Sequence, residues 1–546
     1  MTISKELSDR TFLFSFWAIV VAITAFWFSY TYPQALNENM GVLLVFAERF
    51  LQGGTFGVDI YEVNPPLSTL IYAPAIWIRD IFNIDIHAAS FIYISFYLTL
   101  SVSLVALILK NRTQNRPYEH ALIIGAYFLS QLFITVNDYG EREQLVSLGL
   151  TPLCLLIYLI TSGVKLNKYL TFTVATLGII SVLLKPHFGL VPAILFLHRA
   201  YKKKSLLAPI KDLDFIVMSL GTILYAFALV TIFKIYTFEL LPDIFTIYVT
   251  NVLNMNILRI IPLVLSMLTL VMMGLAWSGK PPKYSRELLY LFGSLTCLSL
   301  ISFITQAKGL FYQVIPSASL FMLTVSLFLF HTLAPYINGK RAALLGLLLP
   351  VIAAVIALYP LNFIFPDRDK IKELPFAQWF ETYCPEDREC SAYIFHEAVD
   401  GIFSSFLYTD TEFASRFAAQ WFYPTTLSTL ERANRGLSAT RIPIETAREI
   451  NQKFGRYVGE DFQNFKPDFV ALIHTQYSID MTDHEAEMID FNFIEHYSQF
   501  EIFKKEWENY GYVGTEIVNR RHYFKGTGLD YDHLMTYDLY TRKQTK

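Results

Sequence analysis

The chain has 546 residues, 53% of them hydrophobic and only 17% charged, with a mean hydropathy of +0.38. Soluble chains carry about 25% charged residues, so this composition excludes a soluble globular enzyme and a disordered protein. With 44 basic against 47 acidic residues and a net charge of −3, no basic excess exists to neutralise a nucleic-acid backbone.

Apolar runs bounded by charge were judged against the roughly 20 helical residues that cross a bilayer core. They predict spans near 11–30, 88–109, 119–136, 145–161, 213–235, 257–277, 287–305, 314–333 and 343–361. The apolar stretch from Leu170 to Leu197 is interrupted at Lys185-Pro186-His187. Proline breaks a helix by removing an N–H and clashing with the preceding turn, so a hairpin of two short helices is expected there. The predicted fold is an α-helical polytopic membrane protein of about eleven transmembrane helices over 1–361. A mixed α/β domain is expected to follow over 362–546. The first span follows ten residues without a small-residue cleavage site, and reads as a retained helix rather than a removed signal peptide.

Basic residues of short loops set orientation. Alternate loops hold seventeen, among them Lys110, Arg112, Arg116, Arg199, Lys202, Lys280, Lys283 and Arg286; the opposite loops and helix ends hold seven. The N-terminus is therefore expected in the cytoplasm and the region after Leu361 outside.

The first outer loop, 31–87, carries Asn37-Glu38-Asn39, then Leu43, Phe46, Ala47 and Phe50 at helical spacing. Such an amphipathic helix is expected to lie in the membrane interface, stopped by Gln52-Gly53-Gly54. Asp59 and Glu62 follow in an extended, proline-bounded stretch. Glu38 has a bland reading as a charge at the positive end of the helix dipole, and a loop carboxylate such as Asp59 is ordinarily solvated. The second outer loop, Asn137 to Gln144, holds Asp138 and Glu141 at capping-box spacing. That reading leaves Arg142 and Glu143 carried into the first membrane turn, where ion pairs are rare and usually functional.

Lys185 follows an apolar run and needs a partner, Glu143 or a lipid phosphate. A lone histidine such as His187 is ordinarily a hydrogen-bonded structural group. Lys308 either snorkels to the interface or, with Gly309 and Tyr312, belongs to a binding loop. In the tail, Phe469-Val470-Ala471-Leu472-Ile473 reads as a buried strand and Asp483 to Tyr497 as a helical stretch. Cys384 and Cys390 would bridge in an oxidising compartment, and Cys154 and Cys297 read as inert fillers of spans.

Four stretches in order along this topology resemble the glycosyltransferase-C superfamily, which includes protein O-mannosyltransferases and the lipid A aminoarabinose transferase. They are Tyr61 to Leu67 (Tyr-Glu-x-Asn-Pro-Pro-Leu), Gly140 to Leu145, Lys185-Pro186-His187-Phe188, and Gln306 to Gln313. The resemblance extends weakly to Ala414-Ser415-Arg416-Phe417 and Trp421. Gln144 and Gln313 stand where the family pattern has histidines, and Leu310 where it has tryptophan.

The resemblance implies a bacterial inner-membrane enzyme that transfers a sugar from a polyprenyl-phosphate donor to a glycan, lipid or protein acceptor of the envelope. Glu38, Asp59 or Glu62 would be the base, because a carboxylate must take the acceptor proton. Arg142 and Glu143 would position donor or acceptor. Lys185, Lys308, His187 and Tyr312 would bind the lipid phosphate, because cations must hold the departing group. All three base candidates are expected to fold normally as Glu38→Gln, Asp59→Asn and Glu62→Gln. No metal ligand set is read from the sequence, and metal assistance stays open. The rival readings are a transporter or flippase for a lipid-linked substrate, a ligase using a lipid-diphosphate donor, and a non-catalytic assembly protein.

Overall fold

The computed structural model describes residues 2–112, 116–135, 138–249, 255–278, 286–358, 363–364, 366–384, 390–396, 399, 401–409, 411–438, 442–480, 486–519, 525–526 and 534–543. Asn137, Lys280, Lys283, Asp483 and the expected boundary at Leu361 and Asn362 lie outside them. Twelve helices open the chain: α1 (Thr2–Thr31), α2 (Glu38–Leu51), α3 (Ile86–Lys110), α4 (Pro117–Phe133), α5 (Arg142–Thr161), α6 (Lys168–Leu184), α7 (Leu190–Lys202), α8 (Leu213–Thr231), α9 (Met255–Ser278), α10 (Glu287–Thr305), α11 (Ile315–Leu333) and α12 (Gly339–Leu358). Short helices Pro66–Leu70 and Ala73–Phe82 lie between α2 and α3. Eight helices among the described residues are long and apolar enough to cross a bilayer, so the chain is a multi-pass membrane protein.

The chain divides into two compact units. One comprises Met1–Tyr32, Ile81–Ala228 and Val252–Asn362, the other Pro33–Asp80, Leu229–Asn251 and Phe363–Lys546. A single cut after 361 therefore does not describe it: Pro33–Asp80 belongs with the C-terminal region.

In the first unit α5 is the central helix, with 83% of its apolar window buried, and it packs against α3, α6, α7 and α11. Its tightest neighbour is α6. A Cβ added at Gly149 would lie 2.0 Å from Ser181 Oγ and 2.7 Å from the Leu177 carbonyl oxygen. Small residues permit such approach where lipid supplies no hydrophobic drive. By contrast α8 and α9 leave Ile223, Phe227, Leu263, Leu270 and Trp277 exposed, a surface suited to lipid chains. The hairpin expected at Lys185-Pro186 is present: α6 ends at Leu184, a single 3₁₀ turn covers Pro186–Gly189, and α7 begins at Leu190.

The second unit is built on a five-stranded mixed sheet. Its strands are β1 (Cys390–Phe395), β2 (Thr411–Phe413), β3 (Phe469–Ile473), β6 (Tyr510–Asn519) and β7 (Leu534–Arg542); β4 (Thr475–Asp480) and β5 (Ala486–Phe491) form a separate hairpin. The order is β2-β1-β3-β7-β6, parallel from β2 to β3 and antiparallel beyond. All five residues of β3 are buried, as an apolar run in a sheet covered on both faces should be. Helices α13 (Ile402–Tyr408), α14 (Tyr423–Asn434) and α15 (Ile444–Phe465) complete this unit's main elements. A disulfide joins Cys384 to Cys390.

Three local expectations are corrected. The stretch expected as one helix to Tyr497 is a strand from Ala486 to Phe491, pairing Tyr477 with Ile489, followed by a five-residue helix capped by Asn492. Helix α5 starts at Arg142 with Glu141 as its N-cap, so Asp138 lies outside the cap. The stripe of α2 is covered by protein rather than offered to a membrane interface. Met40, Leu43, Leu44, Phe46 and Ala47 are buried, and a Cβ at Gly41 would stand 3.0 Å from Phe403 Cβ of α13.

Candidate functional site

The first unit gathers charge at the start of α5. Gly140, at φ +92°, turns the chain in a conformation that favours glycine. Its N–H donates to Gln144 Oε1 at 2.6 Å, while Gln144 Nε2 donates to the Gln131 carbonyl at 2.8 Å. Gln313 braces backbone likewise, accepting from Leu310 N at 3.3 Å. Both glutamines that replace the pattern's histidines thus tie turns together.

From that turn Glu143 enters fully buried, and Lys185 Nζ reaches its Oε1 at 3.2 Å. Apart from this contact neither Glu143 oxygen accepts a hydrogen bond from the described residues. Buried acceptors are nearly always satisfied, so spare lone pairs on a wholly buried carboxylate mark an unusual position. Arg142, 5% exposed, stands beside it, its Nε 3.8 Å from Glu141 Oε2. Arg142 and Glu141 both act electrostatically on Lys185.

The remaining donor-side candidates are brought in by packing. Ser302 Oγ of α10 donates to the His187 carbonyl at 3.1 Å, fastening the Pro186–Gly189 turn to that helix. The His187 ring rests on Phe188. Beyond α10 the loop bends through Ala307 (φ +56°) and Gly309 (φ +66°), placing Lys308 between two left-handed residues. The following 3₁₀ turn, Phe311–Val314, carries half-buried Tyr312 and packs against both α5 and α10. Lys308 is 3% exposed, and burial lowers its ammonium to about 8. Arg142, Glu143, Lys185, His187 and Tyr312 therefore lie on or next to elements that pack together, and Lys308 lies in the loop that leads into one of them.

The second unit holds the three base candidates, and they differ. Glu38 is buried with its carboxylate at the N-terminus of α13. It accepts from Phe403 N at 2.8 Å, from Ser404 N at 3.2 Å and from the Ser404 hydroxyl. The expected cap of α2 is made by Asn37 instead. Asp59 is half-buried and its Oδ2 accepts from Thr55 N at 2.8 Å. Glu62, 5% exposed, accepts from Asn64 N at 3.0 Å and from the Asn64 side-chain amide. That links the glutamate and asparagine of the Tyr61 to Leu67 stretch.

Two clusters in this unit escaped the sequence reading. Tyr61 donates to Asp243 Oδ2 at 2.6 Å, where Lys453 Nζ also arrives at 2.7 Å. The Tyr61 N–H donates to the Arg416 carbonyl at 2.8 Å, joining two stretches that the family resemblance had singled out separately. Arg416 holds Asp461 through Nε at 2.6 Å and its backbone N–H at 3.0 Å. Burial pushes the Asp461 carboxyl up to about 6, against the pull of Arg416. Asp243, Lys453 and Asp461 carry no local motif, so only the fold reveals them. Arg49, in the last turn of α2, is half-buried and donates to the carbonyls of Asp59, Phe413 and Ser415.

Among the described residues no group of three or more His, Cys, Asp and Glu is placed to hold a metal ion. A groove of about 450 Å³ between α1, α3 and α4 is lined mostly by apolar side chains, among them Trp17, Val20, Val102 and Phe128. Compared with protein-family models and with curated proteins, the chain matches none.

Proposed function

We propose that the chain is a membrane glycosyltransferase that moves a sugar from a polyprenyl-phosphate donor to an acceptor of the cell envelope, with inversion. The observation that carries this reading is the buried Lys185–Glu143 pair, flanked by Arg142, with α5 packed against the Phe311–Val314 turn that follows the Lys308 loop. A cation inside a membrane protein needs an anionic partner, and a lipid phosphate entering here would meet lysines and an arginine at once. In transfer the acceptor oxygen attacks the anomeric carbon and the bond to the phosphate oxygen breaks with its electron pair. Lys185, Arg142 and Lys308 receive the charge that develops on the phosphate, with Tyr312 and His187 shaping its surroundings. Glu143 orients Lys185 and accepts a donor or acceptor hydroxyl. A carboxylate takes the acceptor proton. Asp59 and Glu62 are assigned this role over Glu38, whose oxygens are engaged by α13.

The proposed topology has eleven membrane helices, the eight long ones plus α4, α6 and α7. The first two of these have 17 residues, and a helix of that length is about 25 Å long. A cytoplasmic N-terminus follows from seventeen basic residues against seven. The Cys384–Cys390 bridge supports an oxidising compartment for the C-terminal region, outside the inner membrane of a bacterium. The test is transfer of label from radiolabelled polyprenyl-phosphate sugars by the purified protein in liposomes. Label should leave the donor, and Asp59→Asn or Glu62→Gln should stop it. The helix break at Lys185 favours a lipid transporter as second reading. Movement of intact donor between leaflets without sugar release would establish that instead.

A further inference from the structure

Basic side chains also collect at the other end of α5, independently of the sugar-transfer reading. Tyr158, in the electrostatic reach of Arg112 and Glu287, lies fifteen residues after Glu143, a rise of about 22 Å along the helix. The centre of the cluster is Glu119 in the first turn of α4, whose side chain is wholly buried. Arg116 Nη1 donates to Glu119 Oε2 at 3.2 Å. Arg112 Nη1 stands 3.7 Å from Oε1, and His331 Nε2 of α11 stands 3.9 Å from the same oxygen. Arg112 Nη2 is also 3.8 Å from Glu287 Oε2, a carboxylate 61% exposed. Arg286, at the start of α10, joins Arg112 and Arg116 in acting on His331.

Pairing Glu119 with Arg116 leaves polar groups over. Arg112 Nη1, Glu119 Oε1, the ring nitrogens of His331 and Nε2 of His120 are buried and make no hydrogen bond among the described residues, and a neutral imidazole contributes one donor and one acceptor. Arg112 and Arg116 flank Glu119, Glu287 is largely solvated, and Arg286 adds a further positive charge beside His331. A planar guanidinium with free N–H groups beside imidazoles suits a tetrahedral oxyanion. A purely structural ion pair would require only Arg116. The loop-charge bias assigns these helix ends to the cytoplasmic leaflet, where basic pockets between helices receive anionic headgroups.

We propose that Arg112, Arg286 and His331 form a phosphate-binding site at this end of the membrane unit, taking either an anionic phospholipid headgroup or inorganic phosphate. The full chain is purified and reloaded with phosphatidylglycerol or phosphatidylcholine, and retained lipid is counted by native mass spectrometry. Inorganic phosphate is titrated in parallel by calorimetry. With a lipid headgroup as ligand, phosphatidylglycerol is retained at least tenfold better than phosphatidylcholine. With free phosphate as ligand, the calorimetric titration saturates and the two lipids are retained alike. In either case Arg112→Gln lowers the positive signal about tenfold, Arg112→Lys keeps part of it, and Lys203→Gln on the exposed loop changes nothing. Absence of both signals in the wild-type protein overturns the site, whatever the variants do. So does an Arg112→Gln protein of unchanged melting temperature that binds as the wild type does.

Discussion

Glu38 and Glu143 are both buried carboxylates in the first turn of a helix, one in each unit, and their surroundings are opposite. Glu38 sits among donors: two backbone N–H groups and a hydroxyl of α13 converge on it, so its charge completes the open end of a helix. Glu143 meets one ammonium, and its remaining acceptor capacity is unused among the described residues. Burial alone therefore does not distinguish a structural acid from one kept for a ligand. What separates them is how many of the oxygen lone pairs the fold itself fills.

Exchanging each acid for its amide should break the symmetry of that comparison most visibly. Glu143→Gln is expected to lower transfer at least 100-fold per folded molecule, a scale set by lost positioning, and to lower the melting temperature as well, because Lys185 is left as a lone buried charge. Loss of stability with full activity per folded molecule would reverse the roles. Glu38→Ala should behave the other way in activity. Leaving two buried N–H groups without an acceptor costs about 1–3 kcal/mol each, read as a lower melting temperature with the specific activity of surviving protein retained.

Gly149→Ala sharpens the comparison by moving the platform of Glu143 without touching it. Alanine gains about 1 kcal/mol of helix propensity, but overpacking against backbone costs about 1–3 kcal/mol. With the Leu177 carbonyl 2.7 Å from the new Cβ the clash wins. Stability should fall by about 1 kcal/mol, and Ser181→Ala should relieve only the side-chain part of the clash. The smallest effect concerns Lys308. Its ammonium, lowered to about 8 by burial, is charged below that pH and neutral above it. Donor kcat/KM should decline as pH rises through about 8, a few-fold by pH 9, and Lys308→Arg should remove the decline. Persistence of the limb in Lys308→Arg assigns it to another group.

The helical part of this architecture was legible because its signals are local. Apolar runs of membrane length located α3, α10 and α11 to within a few residues, and Pro186 announced the break after α6 through its missing N–H. The pairing of Lys185 with Glu143 was one of the two open to Lys185 on charge alone. Long-range assembly was not legible. The donors to Glu38 lie 365 and 366 residues away, and Asp243 meets Lys453 across 210 residues. The mistaken helix up to Tyr497 has the same cause. The segment Ala486–Phe491 has its partner in Thr475–Asp480, and cross-strand pairing overrides local propensity.

Binding of polyprenyl phosphate to the purified protein is the most direct measurement of what the Lys185–Glu143 pair is for. Removing one member of a buried ion pair costs about 3–5 kcal/mol, so the informative protein is the double variant Lys185→Met with Glu143→Gln, which leaves no lone buried charge. The expected result is a folded protein whose affinity for polyprenyl phosphate is at least tenfold weaker than that of the wild type. A folded double variant that binds the lipid phosphate as tightly as the wild type would contradict the assignment.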